Sequence, residues 1–251
     1  MNFGVNQTHR LDDLAKPLTN LQTIGSALVV APHPDDESLG CGGTIAQLRQ
    51  LNYAVHAVFV SDGTMSHPHS KAYPAERLRN LRESEAREAL HILGVAPDTC
   101  TFLRHRDRQV PTVGVAGFSE AVTQLVTLID QLKPSTVFVP WRRDPHPDHR
   151  ASWQIVQEAL RQLATKPRLL EYLIWLWELG TEDDMPDPAD ILVWRVSIDS
   201  VMNQRNRAIA AHQSQVTHLI NDDPSAFYLS PELLTHFDQP RELFLEDKPN
   251  R

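Results

Sequence analysis

Two tetrapeptides carry the side chains best suited to chemistry, His33-Pro34-Asp35-Asp36 and His146-Pro147-Asp148-His149. Glu37 follows the first, so three carboxylates stand in a row. Ionised carboxylates at that spacing repel one another, and burying them costs free energy unless a positive charge offsets them. Neutral imidazole and carboxylate are ordinary ligands of a divalent transition metal, which supplies that charge and keeps the acids deprotonated. A single HPD can be no more than a helix N-cap, because aspartate caps helices often. Two of them, each directly after an apolar run, argue for one shared site.

The apolar runs are short, rich in valine and ended by turn residues, which reads as buried strands. They cover 26–32, 53–63, 98–105, 135–141 and 189–199, and helical spacing of apolar residues marks 42–52, 75–94, 118–134 and 149–165. Both motifs therefore close a strand. Proline holds the preceding histidine extended and can open a helix, which sets the acids in a first turn where the helix dipole favours their charge. Strand alternating with helix predicts an α/β fold, a Rossmann-like three-layer sandwich with a mostly parallel central sheet. Ligands in such sheets bind beyond the carboxyl ends of the strands, near the point where strand order reverses. One domain over 26–251 is expected, with 1–25 as an N-terminal extension.

At 251 residues, 41% of them hydrophobic, the chain can bury a large core without staples. Two cysteines, Cys41 and Cys100, are too few for a disulfide framework, and the first residues lack the pattern of a signal peptide, so a cytoplasmic location is expected. The longest apolar candidate for a membrane span, 169–180, is short and interrupted by Glu171 and Glu178, so no membrane partner is expected. A net charge of −8 argues against a nucleic-acid partner. A small-molecule substrate fits better, and a homo-oligomer stays open.

APHPDDESLGCGG at 31–43 resembles the AHPDDE signature of the PIG-L/LmbE-like zinc-dependent N-deacetylases, and DPHPDHRAS at 144–152 resembles their second motif. Further pieces follow in that family's order. They are SDG at 61–63, a helix carrying Arg82, Glu85, Ala89 and Leu93-Gly94, LRHRD at 103–107, and AHQSQ at 211–215. The sequence departs from the pattern at Pro32 and at Arg205, where a lysine is expected. The resemblance implies an LmbE-like fold and removal of an acetyl group from an N-acetylated amino sugar or its conjugate. It implies His33, Asp36 and His149 as metal ligands, with zinc as the cofactor, although ferrous iron or another divalent ion suits the same donors. Asp35 is then the general base for metal-activated water, and His146 donates to the oxyanion with Asp148 beside it orienting the ring. Arg82 and Asp107 are the implied substrate-binding residues. Alternatives are hydrolysis of another acylated amine or a thiol-conjugate precursor, or metal or nucleotide binding without catalysis.

Other features read as structural. Glu37 is expected to bond loop backbone, and Gly40, Gly42 and Gly43 to permit close packing of helix on sheet, since no G-x-G-x-x-G is present. Trp175, Trp177 and Trp194 are expected in the core or at an interface. His67 and His69 fall in a loop expected to be mobile near the site mouth, while His212 has two equal readings, in the site or in the core.

Overall fold

The computed structural model describes residues 10–96 and 98–249. Eight strands form one sheet: β1 (Lys16–Pro17), β2 (Ala27–Ala31), β3 (Val55–Ser61), β4 (Cys100–His105), β5 (Thr136–Pro140), β6 (Arg168–Tyr172), β7 (Ile191–Ser197) and β8 (Arg241–Asp247). Their order is β1-β7-β8-β6-β5-β2-β3-β4. Only β8 runs antiparallel to its neighbours, β6 and β7. The chain builds β2, β3 and β4 outward in one direction, then crosses back to place β5 and β6 on the other side of β2. Strand order thus reverses between β2 and β5, whose carboxyl ends carry the two HPD motifs.

Five longer helices cover the sheet: α1 (Asp36–Gln50), α2 (Ala75–Ile92), α3 (Phe118–Leu132), α4 (Pro147–Gln162) and α5 (Met202–Ala211). Side chains alternate across each strand, so β2 feeds both faces. Val29 and Ala31 pack with α1, α2 and α5, whereas Leu28 and Val30 pack with α3 and α4. The result is the expected three-layer α/β sandwich.

Three differences from the sequence reading have physical causes. First, β6 and β8 were not expected as strands. After Glu171 the apolar residues run on past the end of β6 through Trp177, hiding that end, and the apolar centre of β8 is only Leu243–Leu245 between charged residues, although the strand lies inside the sheet between β7 and β6. Second, α1 opens at Asp36 and passes straight through the glycine cluster. A Cβ at Gly40 would stand 2.3 Å from the Tyr172 ring, and one at Gly43 would stand 2.5 Å from Ile198. Glycine in a helix interior costs up to about 1 kcal/mol relative to alanine. Here it lets α1 lie close against β6 and the chain after β7. Third, residues 10–25 of the expected extension pack on the domain: Leu11 is fully buried and β1 pairs in parallel with β7. Residues 1–9 of that extension lie outside the described residues.

Candidate active site

The two motif loops meet at a triangle of donor atoms. His33 Nδ1 lies 3.4 Å from Asp36 Oδ2, His149 Nε2 lies 3.3 Å from the same oxygen, and the two ring nitrogens are 3.3 Å apart. Ligands at zinc bond lengths of about 2.0–2.1 Å in a tetrahedron are separated by roughly 3.3–3.4 Å. The donor set therefore fits a divalent ion in both chemistry and spacing.

The second nitrogen of each imidazole faces a carboxylate, an arrangement that fixes tautomer and ring orientation in metal sites. His33 Nε2 is 3.2 Å from Asp148 Oδ2 and 3.3 Å from Asp107 Oδ1. His149 Nδ1 is 3.2 Å from Asp144 Oδ1. Burial alone would depress both imidazoles. Their carboxylates outweigh it, raising His33 well above its ordinary value and His149 to about 9. Asp36 is held well below the usual carboxylate range, because His149 and His33 outweigh the effect of its burial.

Two other groupings bring three donors within 4.8 Å: His33 with His146 and His149, and His33 with Asp107 and Asp148. The triangle differs from them in joining both motifs through one carboxylate oxygen, Asp36 Oδ2, which also accepts the His33 N–H at 2.9 Å. His146 Nδ1 already accepts the Asp148 amide N–H at 3.2 Å, as the N-cap of α4. Asp107 Oδ2 accepts from the Met65 amide at 2.9 Å, and Asp148 Oδ2 accepts from the Arg108 amide at 2.7 Å. Those carboxylates belong to the far side of His33.

Asp35 sits just before α1 with φ 149° and ψ −28°, a conformation that L side chains rarely adopt. Such a residue costs about 1–3 kcal/mol and persists only where its surroundings over-determine it. Here Glu37 Oε2 accepts the Asp35 N–H at 3.0 Å, and Arg82 donates to Pro34 O at 2.8 Å and Asp35 Oδ2 at 3.0 Å. The strain turns Asp35 away from Asp36, so adjacent carboxylates face different partners. Burial raises the Asp35 carboxyl, Arg82 partly reverses that, and Asp36 adds to it, leaving a value of about 6. His146 is driven the other way, to about 3, by burial and by the charges of His33 and His149. It is therefore a neutral ring. With Nδ1 accepting, its proton sits on Nε2.

The structure reassigns several side chains. Asp148 was expected to orient His146, but its carboxylate bonds His33 and the amides of Arg108 and Val110, and only its backbone meets His146. Arg82, expected at substrate hydroxyls, lines the pocket; it is buried, and its terminal nitrogens bond Gly63 O, Pro34 O and Asp35. Asp107, expected to bind substrate, lines the pocket and also supports His33. Glu37 bonds loop backbone as read from the sequence, and it also takes His212 Nε2 at 3.0 Å, which places His212 beneath the loop. Arg205 lies against Gly42 and donates to the carbonyls of Phe237 and Gln239. The SHPHS loop is pinned, with His69 N–H on Asp223 and Ser70, Lys71 and Ala72 on Asp222.

Two residues escaped the sequence reading. Asp144, fully buried, approaches His149 and accepts the amides of His146 at 2.9 Å and Trp175 at 3.0 Å. Its signal was present in DPHPDH, two positions before the histidine. Trp175 was expected in the core or an interface but lines the pocket, its ring 6.4 Å from that of His146 and within 28° of parallel. The pocket holds about 450 Å³ and includes His33, Asp35, Asp36, Asp107 and His146.

The chain matches the family described as PIG-L, GlcNAc-PI de-N-acetylase, over residues 28–160, just over half its length and both motifs. It is 32% identical over 151 residues to a probable N-acetyl-alpha-D-glucosaminyl L-malate deacetylase of Bacillus anthracis. That match covers 59% of this chain and 64% of the relative, so the chain spans just under two thirds of that protein. The structure resembles N,N'-diacetylchitobiose deacetylase from Pyrococcus horikoshii with a TM-score of 0.62 at 24% identity, covering 84% of this chain and 78% of that one. It also resembles a 4-carboxy-2-hydroxymuconate hydratase from Pseudomonas putida with a TM-score of 0.64 at 17% identity, covering 90% and 97%. Likeness at these identities establishes the fold alone. A hydratase on the same fold means that function has to be argued from the site.

Proposed function

We infer what this chain does from one premise: it belongs to the PIG-L family of de-N-acetylases. On that premise it is a metal-dependent hydrolase that removes the acetyl group from an N-acetylated amino sugar or its conjugate, releasing acetate and an amine. The observation that carries this reading is the donor triangle of His33, Asp36 and His149, with Asp35 and His146 lining the same pocket.

His33, Asp36 and His149 would hold the ion, which we take to be zinc. When bound, it supplies positive charge that polarises a carbonyl and acidifies water. Asp35 is the proton carrier. A carboxyl near 6 accepts a proton from attacking water and can return it to the leaving amine nitrogen close to neutral pH. Arg82 sets the aim of that carboxylate. His146, neutral and protonated on Nε2, donates to the amide oxygen as charge develops there. Asp144 and Asp148 fix the ligand rings, so little reorganisation accompanies the reaction. Substrate hydroxyls would meet Arg82 and Asp107, which line the pocket, and Arg108, which is exposed at its rim. We place the reaction in the cytoplasm, which suits a chain with only two cysteines, Cys41 and Cys100.

A panel of N-acetylated sugars and N-acyl amino acids, assayed for amine release by the zinc-loaded protein, tests the reading. Turnover of acetamido sugars above acyl amino acids is expected. Turnover confined to acyl amino acids would assign the chain to another amide substrate.

A further inference from the structure

An acetamide needs only a small part of a 450 Å³ cavity, whose size is that of a site for a drug-sized ligand. Two segments of its lining, 174–179 after β6 and 227–233 before β8, form a wall that is mostly apolar. Among the described residues, the exposed aromatic side chains are Phe227 and Tyr228, both on this wall, and Leu179 beside them is 58% exposed. Exposed apolar area gathered in a concavity marks a binding surface.

This wall is also held rigidly. The Phe227 amide donates to Ser66 O at 2.8 Å, the Leu229 amide to Gln215 O at 2.6 Å, and the Trp175 amide to Asp144 Oδ2 at 3.0 Å. Trp175 and Phe227 meet edge to face at 5.5 Å, and Tyr228 meets His218 in the same way at 4.5 Å. Because Asp144 also faces His149, one carboxylate fixes both the apolar shelf and the metal-binding ring. Of the charged side chains outside the reacting centre, Glu178 is engaged by His236 at 2.9 Å. The shelf is continuous with the reacting centre within one cavity, so its occupant is the remainder of the substrate whose acetamide sits at the donor triangle.

We propose that Trp175, Leu179, Phe227 and Tyr228 form a subsite for an apolar or aromatic substituent on the N-acetylated substrate. This rests on the deacetylase reading. The enzyme then prefers acetamido sugars bearing a hydrophobic aglycone over those with a small polar one.

The test compares the phenyl and methyl glycosides of N-acetylglucosamine, of one anomeric form, as substrates of the zinc-loaded enzyme, followed by acetate release. The phenyl compound is expected to have a kcat/KM about tenfold or more higher, mostly through KM. The double variant Leu179→Ser, Tyr228→Ser is expected to shrink that ratio to less than about threefold, while Tyr228→Phe retains it. Equal kcat/KM for both glycosides in the unaltered enzyme overturns the proposal. If neither glycoside is hydrolysed, the deacetylase reading fails. Calorimetric binding of the corresponding phenyl and methyl glucosaminides then judges the shelf alone: tighter phenyl binding upholds it, and equal affinities overturn it.

Discussion

The two HPD segments share letters, and they share a place at the ends of neighbouring parallel strands, yet they do different work. In the first, histidine and the fourth residue, Asp36, both point at the donor triangle, and the central aspartate is forced into a rare backbone conformation that aims it elsewhere. The second has ordinary N-cap geometry, with His146 extended, Pro147 opening α4 and the histidine ring accepting an amide. Only its fourth residue, His149, reaches the triangle. The central aspartate, Asp148, reaches across to support His33 of the first motif. Backbone shape therefore decides which side chain joins the donor triangle, and each motif is completed by the other.

The largest effect separating the two motifs is expected at their third residue. Asp35→Asn should lower kcat by about 10²–10⁴-fold with metal content unchanged. Loss of the ion in that variant would make Asp35 a ligand and erase the distinction between Asp35 and Asp36. At the first residue, His146→Ala should cost about 10²–10³-fold in kcat and keep its metal. Were metal binding abolished instead, the trio of His33, His146 and His149 would be the true site. Smaller still, Asp148→Asn and Asp144→Asn should each weaken metal affinity by about 10- to 100-fold, as supports of His33 and His149 respectively. An effect of Asp148→Asn on turnover alone would restore it as a partner of His146.

The pH response follows from the same two motifs. The raised His149 contributes stability to the metal-free chain that is complete below its unfolded value of about 6.5 and lost as pH rises through about 9. Asp36, held low, contributes stability present above about pH 4 and lost as pH falls further. Protons on His33 and His149 compete with the ion, so affinity should climb with pH up to about 9. Loading at pH 7 should release protons, readable by calorimetry in buffers of different ionisation heat. Release of none would mean that the rings are neutral before the ion arrives.

How much of this was legible depended on the kind of signal. Strands β2, β3 and β5 stand out because burial on both faces demands unbroken apolar runs, and the motifs that end them follow directly. By contrast, β6 was masked because LLEYLIWLW runs on into the pocket wall, so its end carries no punctuation. The start of α1 was hidden by glycines whose role is close approach to Tyr172 and Ile198, a tertiary fact. Arg82 illustrates a limit of another sort. Its residue type and helix position were readable, but whether a guanidinium faces substrate or staples two loops depends on what Gly63 O and Pro34 O do in space. The rare φ of Asp35 leaves no mark on composition, and Asp144 was overlooked because one aspartate before a proline usually signals a turn.

X-ray absorption at the zinc edge of the loaded protein tests the central claim most directly. Two imidazole nitrogens are expected, with the remaining ligands oxygen, at about 2.0–2.1 Å. A fit requiring three imidazoles would place His146 on the ion and contradict the division of labour between the two motifs.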